Sequence, residues 1–143
     1  MTHPQRSFGP TSLPVHPVGF GAMSFAGFYG PTTEDESLKT LERALALGVN
    51  HWDTANVYGD GLSETIIGKF FKAHPRARSK IHLATKGSIR RDPQTGARSF
   101  DNSKDHLRQA LEASLTRLGQ SKVDLYYIHR RDQRIMIEKV QET

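Results

Sequence analysis

Asp53, Tyr58, Lys86 and His129 have side chains suited to moving protons. A phenol titrates near pH ~10 when nothing perturbs it, so a tyrosine is a poor acid near neutrality unless its phenolate is stabilised. A nearby ammonium gives that stabilisation, and a lysine taken out of water needs a carboxylate to stay charged. Tyr58, Lys86 and Asp53 supply these three groups, and a histidine can hydrogen-bond a carbonyl or help relay the proton. Each residue type alone has an ordinary structural use, such as a turn cap or a solvated charge. Only their convergence would carry chemistry.

Convergence requires elements that bring the four together. Asp53 closes a predicted strand over Val49–Asp53, Lys86 closes another over Ile81–Lys86, and His129 closes a third over Val123–His129. A brief apolar run from His16 to Phe20, stopped by Gly21, predicts a further strand before these. Between them lie three helical patterns. Thr33 and Glu36 have capping-box spacing, Leu38, Leu41 and Leu45 share a face, and Gly48 closes that helix. The second helix spans about Leu62 to Ala73 and ends before Pro75. The third starts near Asn102 or Ser103, carries Leu107, Leu111, Leu115 and Leu118, and stops at Gly119. Another helical pattern begins at Ile135.

Strict alternation of strand and helix predicts an α/β fold with parallel strands and helical crossovers. In such a sheet the carboxyl ends of the strands share one face, so the four candidate groups are expected to meet there. The segment Gly87–Asp101 is expected to be a polar functional loop, being long for a connection. Pro4, Gly9, Pro10 and Pro14 predict an irregular lead-in, with a short hairpin around Phe8 and Leu13. By strand alternation His51 points inward with Asp53, and is read as a core histidine.

Composition narrows the alternatives. A chain of 143 residues that is 36% hydrophobic and 24% charged fits a single domain with a real core, taken as residues 1–143. The absence of cysteine excludes disulfides and thiolate chemistry, and no metal site is expected. The net charge of +5 favours anionic ligands, but the basic residues are scattered without aromatic interleaving, which argues against nucleic acid. No apolar run is long enough to span a membrane, and the first ten residues lack a signal-peptide core, so a cytoplasmic location is expected. The glycines at 19, 21, 27 and 30 form a loose loop and do not spell the dinucleotide-binding GxGxxG.

Four segments, GFGAMSF (19–25), WDTANVYGDGLSE (52–64), LATK (83–86) and VDLYYIHRRD (123–132), resemble the N-terminal half of the aldo-keto reductase superfamily. The resemblance runs from about Leu13 onward. It implies a parallel (β/α)8 TIM barrel, here represented by the first four β-strands and three complete helices. It also implies NADPH as cofactor and a small-molecule aldehyde or ketone as substrate. Under it Tyr58 is the proton donor, Lys86 supports it, Asp53 pairs with Lys86, and His129 orients the carbonyl. Gly21 and Met23, with Asp53, are then expected near the nicotinamide end. A full barrel needs about 250 residues. The 143-residue chain is therefore expected to bind NADPH weakly and turn over little. Its open half-barrel is expected to be covered by self-association or a partner chain, and the alternative is a non-catalytic or regulatory barrel relative.

Overall fold

The structure is a computed structural model that describes residues 5–9 and 14–142. Its centre is a four-stranded sheet of β1 (Phe20–Gly21), β2 (His51–Asp53), β3 (His82–Gly87) and β6 (Leu125–Ile128), in that spatial order and parallel throughout. Helices α1 (Glu34–Ala46), α2 (Leu62–Ala73) and α3 (Lys104–Leu118) are the crossovers, and a short α4 (Ile137–Gln141) follows β6. The predicted alternation is therefore present. So are the predicted helix starts: Thr33 and Glu36 make both reciprocal capping-box bonds, and the Ser103 hydroxyl accepts from the His106 amide. After α1, Gly48 at φ 76° lets its own amide and that of Val49 bond back to Leu45 and Ala44, closing the helix as expected.

Register divides the sheet into two unlike faces. Phe20 pairs with Trp52 and Trp52 with Leu83, all on the helix side. There Trp52, Leu83, Leu41, Ile66, Ile67, Phe70, Phe71 and Leu118 form the buried core. Gly21, Asp53 and Ala84 lie in register on the opposite face, which the alternation of β3 extends to Lys86. This inner face is polar.

One buried carboxylate fixes the helices to the sheet. Glu64, in the first turn of α2, has no exposed surface. It accepts from Thr85 Oγ1 of β3 at 2.6 Å and from Arg117 Nε of α3 at 2.7 Å. Two glycines clear the way for the arginine. A Cβ at Gly68 would stand 2.2 Å from the Arg117 carbonyl oxygen, and one at Gly61 would stand 2.5 Å from Arg117 Cδ.

Three expectations change in detail. The first strand is Phe20–Gly21 rather than His16–Phe20, because the preceding chain is held by a side chain instead of a ladder. Asn50 accepts from the His16 amide at 2.8 Å and donates to the Pro14 carbonyl at 2.8 Å. The glycine-rich loop contains a 3₁₀ helix, Ala22–Ala26, that buries Phe25. The Gly87–Asp101 segment is not a plain loop: β4 (Ile89–Arg91) and β5 (Arg98–Phe100) form an antiparallel hairpin. Its turn is made by Asp92, whose Oδ1 accepts from the Gln94 and Thr95 amides. In the lead-in, Arg6 and Val15 form an antiparallel bridge, while Leu13 of the expected hairpin lies outside the described residues.

Replacing Arg117 with Met would strand the Glu64 carboxylate without its ion pair. Breaking a buried pair in this way costs about 3–5 kcal/mol. A urea unfolding curve is expected to show a loss of that order for Arg117→Met, with α2 and α3 destabilised together.

Candidate active site

The four candidate residues arrive from three strand ends. Asp53 ends β2 and Lys86 lies one residue before the end of β3. His129 directly follows β6, its amide donating to the Gly87 carbonyl at 2.8 Å. Tyr58 is placed by the loop between β2 and α2. That loop stays close to the sheet because the Thr54 amide bonds to Ala84 and the Asn56 amide to Lys86. It then turns through three consecutive left-handed residues, Gly59, Asp60 and Gly61, before α2 begins. Gly59 is needed there: a Cβ would stand 3.0 Å from the Cβ atoms of both Ala26 and Leu62.

Lys86 joins these groups. Its Nζ donates to Asp53 Oδ1, to the Thr54 carbonyl at 2.8 Å and to Tyr58 Oη at 3.2 Å. An ammonium has three protons, so each has a defined acceptor. The ion pair with Asp53 is largely withdrawn from solvent. Consequently the positive charge is held where the phenol oxygen can use it.

His129 faces the same phenol from the other side. Its ring stands edge-on to Tyr58, with centroids 5.7 Å apart and planes at 84°. Burial, with help from the Lys86 and Arg130 charges, holds its pKa below the ordinary histidine value, and Asp53 opposes this. The imidazole is therefore neutral at neutral pH. Its Nδ1 is buried without a partner. An unpaired acceptor costs less than an unpaired N–H, which favours the tautomer with the proton on Nε2. That nitrogen can donate to a substrate oxygen.

Gly21 lies beside Asp53 in register, and a Cβ added to it would meet nothing within 4 Å. The end of β1 thus borders open space next to the ion pair. Met23 is half-buried in the 3₁₀ helix beyond it. The helix is fastened by hydroxyls: Thr54 and Ser63 bond each other at 2.9 Å, and Ser63 donates to the Ala22 carbonyl at 2.8 Å. Among the described residues, no three His, Asp or Glu side chains gather as metal ligands, and no helix is long and apolar enough to cross a membrane.

A sequence model described as the Aldo/keto reductase family matches residues 17–143. The chain belongs to the aldo/keto reductase family. It is 40% identical over 140 residues to "Aldo-keto reductase yakc [NADP(+)]" of Schizosaccharomyces pombe, covering 98% of this chain and 40% of that protein. With L-galactose dehydrogenase of Arabidopsis thaliana the identity is 37% over 124 residues, or 87% of this chain and 37% of the other. The holo form of aldo-keto reductase AKR11C1 from Bacillus halodurans superimposes with a TM-score of 0.85 at 33% identity, covering 99% of this chain and 45% of that one. Glycerol dehydrogenase AKR11B4 from Gluconobacter oxydans gives 0.81 at 29%, covering 95% and 42%. This aldo/keto reductase chain thus spans less than half the length of these relatives and forms part of their α/β barrel.

Several residues that shape the site carry no chemical signal by type. Thr54 acts through its carbonyl and Ser63 through a hydroxyl hidden at a helix start. Glu64 did leave a trace, since it lies three residues before Ile67 and seven before Phe71 on the apolar side of α2. His82 had none: it reads as part of an apolar strand. It proves to be the partner of His51, with the two Nδ1 atoms 3.1 Å apart. The pair lies on the inner face below Asp53, and the Phe8 ring packs on both imidazoles, 4.9 Å from His51 and 5.1 Å from His82.

His51 is thus a hydrogen-bonded interior histidine. Burial first, and then His82, lower its pKa, with Asp53 raising it and Lys86 lowering it further. In the unfolded chain a histidine takes up its proton near pH ~6.5. The unfolded state therefore binds more protons than the folded one below that value, so this stability is present above it and is lost as the pH falls towards the folded-state pKa. His51→Leu is expected to shrink the fall in urea midpoint between neutral and mildly acidic pH; an undiminished fall would assign it to other groups.

Proposed function

We propose that this chain carries the proton-transfer side of an NADP(H)-dependent carbonyl reductase site, which reduces an aldehyde or ketone to an alcohol. The observation that supports it most strongly is the placing of the Lys86 ammonium between Asp53 and Tyr58 Oη, with His129 opposite. The name of the Schizosaccharomyces pombe relative includes NADP(+), which agrees with this choice of cofactor. The open space at Gly21 suits a flat ring beside the ion pair, and Gly21, Met23 and Asp53 would flank the nicotinamide end. When bound, the nucleotide supplies the hydride, which no side chain can provide.

The residues of the chain perform the remaining work. His129 Nε2–H hydrogen-bonds the carbonyl oxygen and fixes it near Tyr58. The Tyr58 hydroxyl gives its proton to that oxygen as negative charge develops there. Lys86 stabilises the phenolate left behind, and Asp53 keeps Lys86 charged and pointed at the phenol. Within a polypeptide that completes the barrel, Tyr58→Phe is expected to lower aldehyde reduction by roughly 100-fold or more while NADPH affinity stays nearly unchanged. Retained turnover would move the proton donor elsewhere, and loss of NADPH binding would contradict the role assigned to Tyr58.

The inner face needs a cover. Among the described residues, both edge strands, β1 and β6, lack a neighbour on their outer side, and Ile128 at the β6 edge is exposed. A second copy turned about the barrel axis would set β6 of each beside β1 of the other, giving eight parallel strands. Sedimentation of the 143-residue polypeptide is expected to show a dimer of the 16.0 kDa chain. A monomer at micromolar concentration contradicts closure by self-association.

A further inference from the structure

The His129 ring makes no hydrogen bond among the described residues, so apart from its edge-on contact with Tyr58 its position follows from the backbone that carries it. The residue that holds this backbone is Ser88. It is completely buried, yet its φ is 98°, a conformation that L residues rarely adopt. Glycine would take that φ without strain. What serine adds is a hydroxyl, and the hydroxyl is used twice: it donates to the Arg130 carbonyl at 2.7 Å and accepts from the Arg130 amide at 3.0 Å. Both backbone groups of the residue after His129 are thereby engaged by one side chain.

Asn102 completes the hold from the other end of the β4–β5 hairpin. It is buried, donates to the same Arg130 carbonyl at 3.0 Å, and accepts from the Asp132 amide at 2.6 Å. Asp132 then binds the Arg134 guanidinium and amide. Two buried side chains, one just before the hairpin and one just after it, thus grip the segment that follows β6.

We infer that Ser88, with Asn102, is a positioning residue that locks the backbone after β6 and so holds the His129 imidazole edge-on to Tyr58. The catalytic meaning of this lock rests on the carbonyl-reductase reading. The two bonds of the Ser88 hydroxyl to Arg130 accompany its strained φ and offset part of that strain. The hairpin is thereby coupled to the site, since side chains at both of its ends bond the Arg130 backbone.

The test needs no turnover, so its result is separate from the fate of the carbonyl-reductase reading. Ser88→Ala keeps the strained φ and loses the hydroxyl; Ser88→Gly removes both strain and hydroxyl. Histidine-resolved NMR titration of the 143-residue chain follows His129, which senses Lys86, Arg130 and Asp53 besides its burial. In both variants the His129 titration is expected to rise towards the ordinary histidine value. Exchange of the Arg130 amide should quicken on the order of tenfold, as expected for one lost hydrogen bond. Ser88→Gly serves as the variant that keeps folding, because it relieves the backbone. An unchanged His129 titration in Ser88→Gly overturns the inference, as does one that moves only in proportion to global stability.

Discussion

Glu64 is a carboxylate with no access to water, and such a group is tolerated only when its charge is met and its oxygens are bonded. Meeting those needs requires three elements at once. Thr85 must present its hydroxyl from β3, Arg117 must reach in from α3, and α2 must bring the carboxylate between them. Arg117 is steadied in turn by the buried Ser114 hydroxyl at 3.1 Å. Because Glu64 lies in the first turn of α2, the helix dipole also favours its charge. The consequence for the site is direct: Thr85 precedes Lys86, so fixing one side chain outward fixes the next one inward.

On the inner face, polar groups are arranged in layers along the strands. The His51–His82 pair forms one layer, covered by Phe8, and the Asp53–Lys86 pair forms the next, at the strand ends. The lower layer is joined by the hydrogen bond between the two Nδ1 atoms. The upper one is charged and turned towards Tyr58. This order sets the ion pair at the strand ends, above the histidine pair.

The helices and the alternation of the fold were legible because they are encoded locally. The Thr33 and Glu36 pair, the leucine spacing of α1 and α3 and the glycines at 48 and 119 each act within a few residues of themselves. That Asp53, Lys86 and His129 meet at one end of the sheet was legible because each lies at the end of a predicted strand. What escaped reading depends on partners far along the chain. Glu64 meets Arg117 53 residues later, and Ser88 meets Arg130 42 residues later. The hairpin in Gly87–Asp101 was hidden for a different reason. Its strands have three residues each, and β5 is exposed throughout, so no alternation of apolar and polar residues marks them.

Trp52 is the sole tryptophan, and the strand places it one residue before Asp53 but on the opposite face. It is fully buried, with its indole donating to the Val49 carbonyl at 2.7 Å and its ring against Phe70 and Phe71. The molecule therefore contains an optical reporter of its own. The emission of this indole belongs to the dry side of the sheet, so it records separation of helices from strands. The Asp53–Lys86 pair one residue away faces the other direction and does not touch the indole.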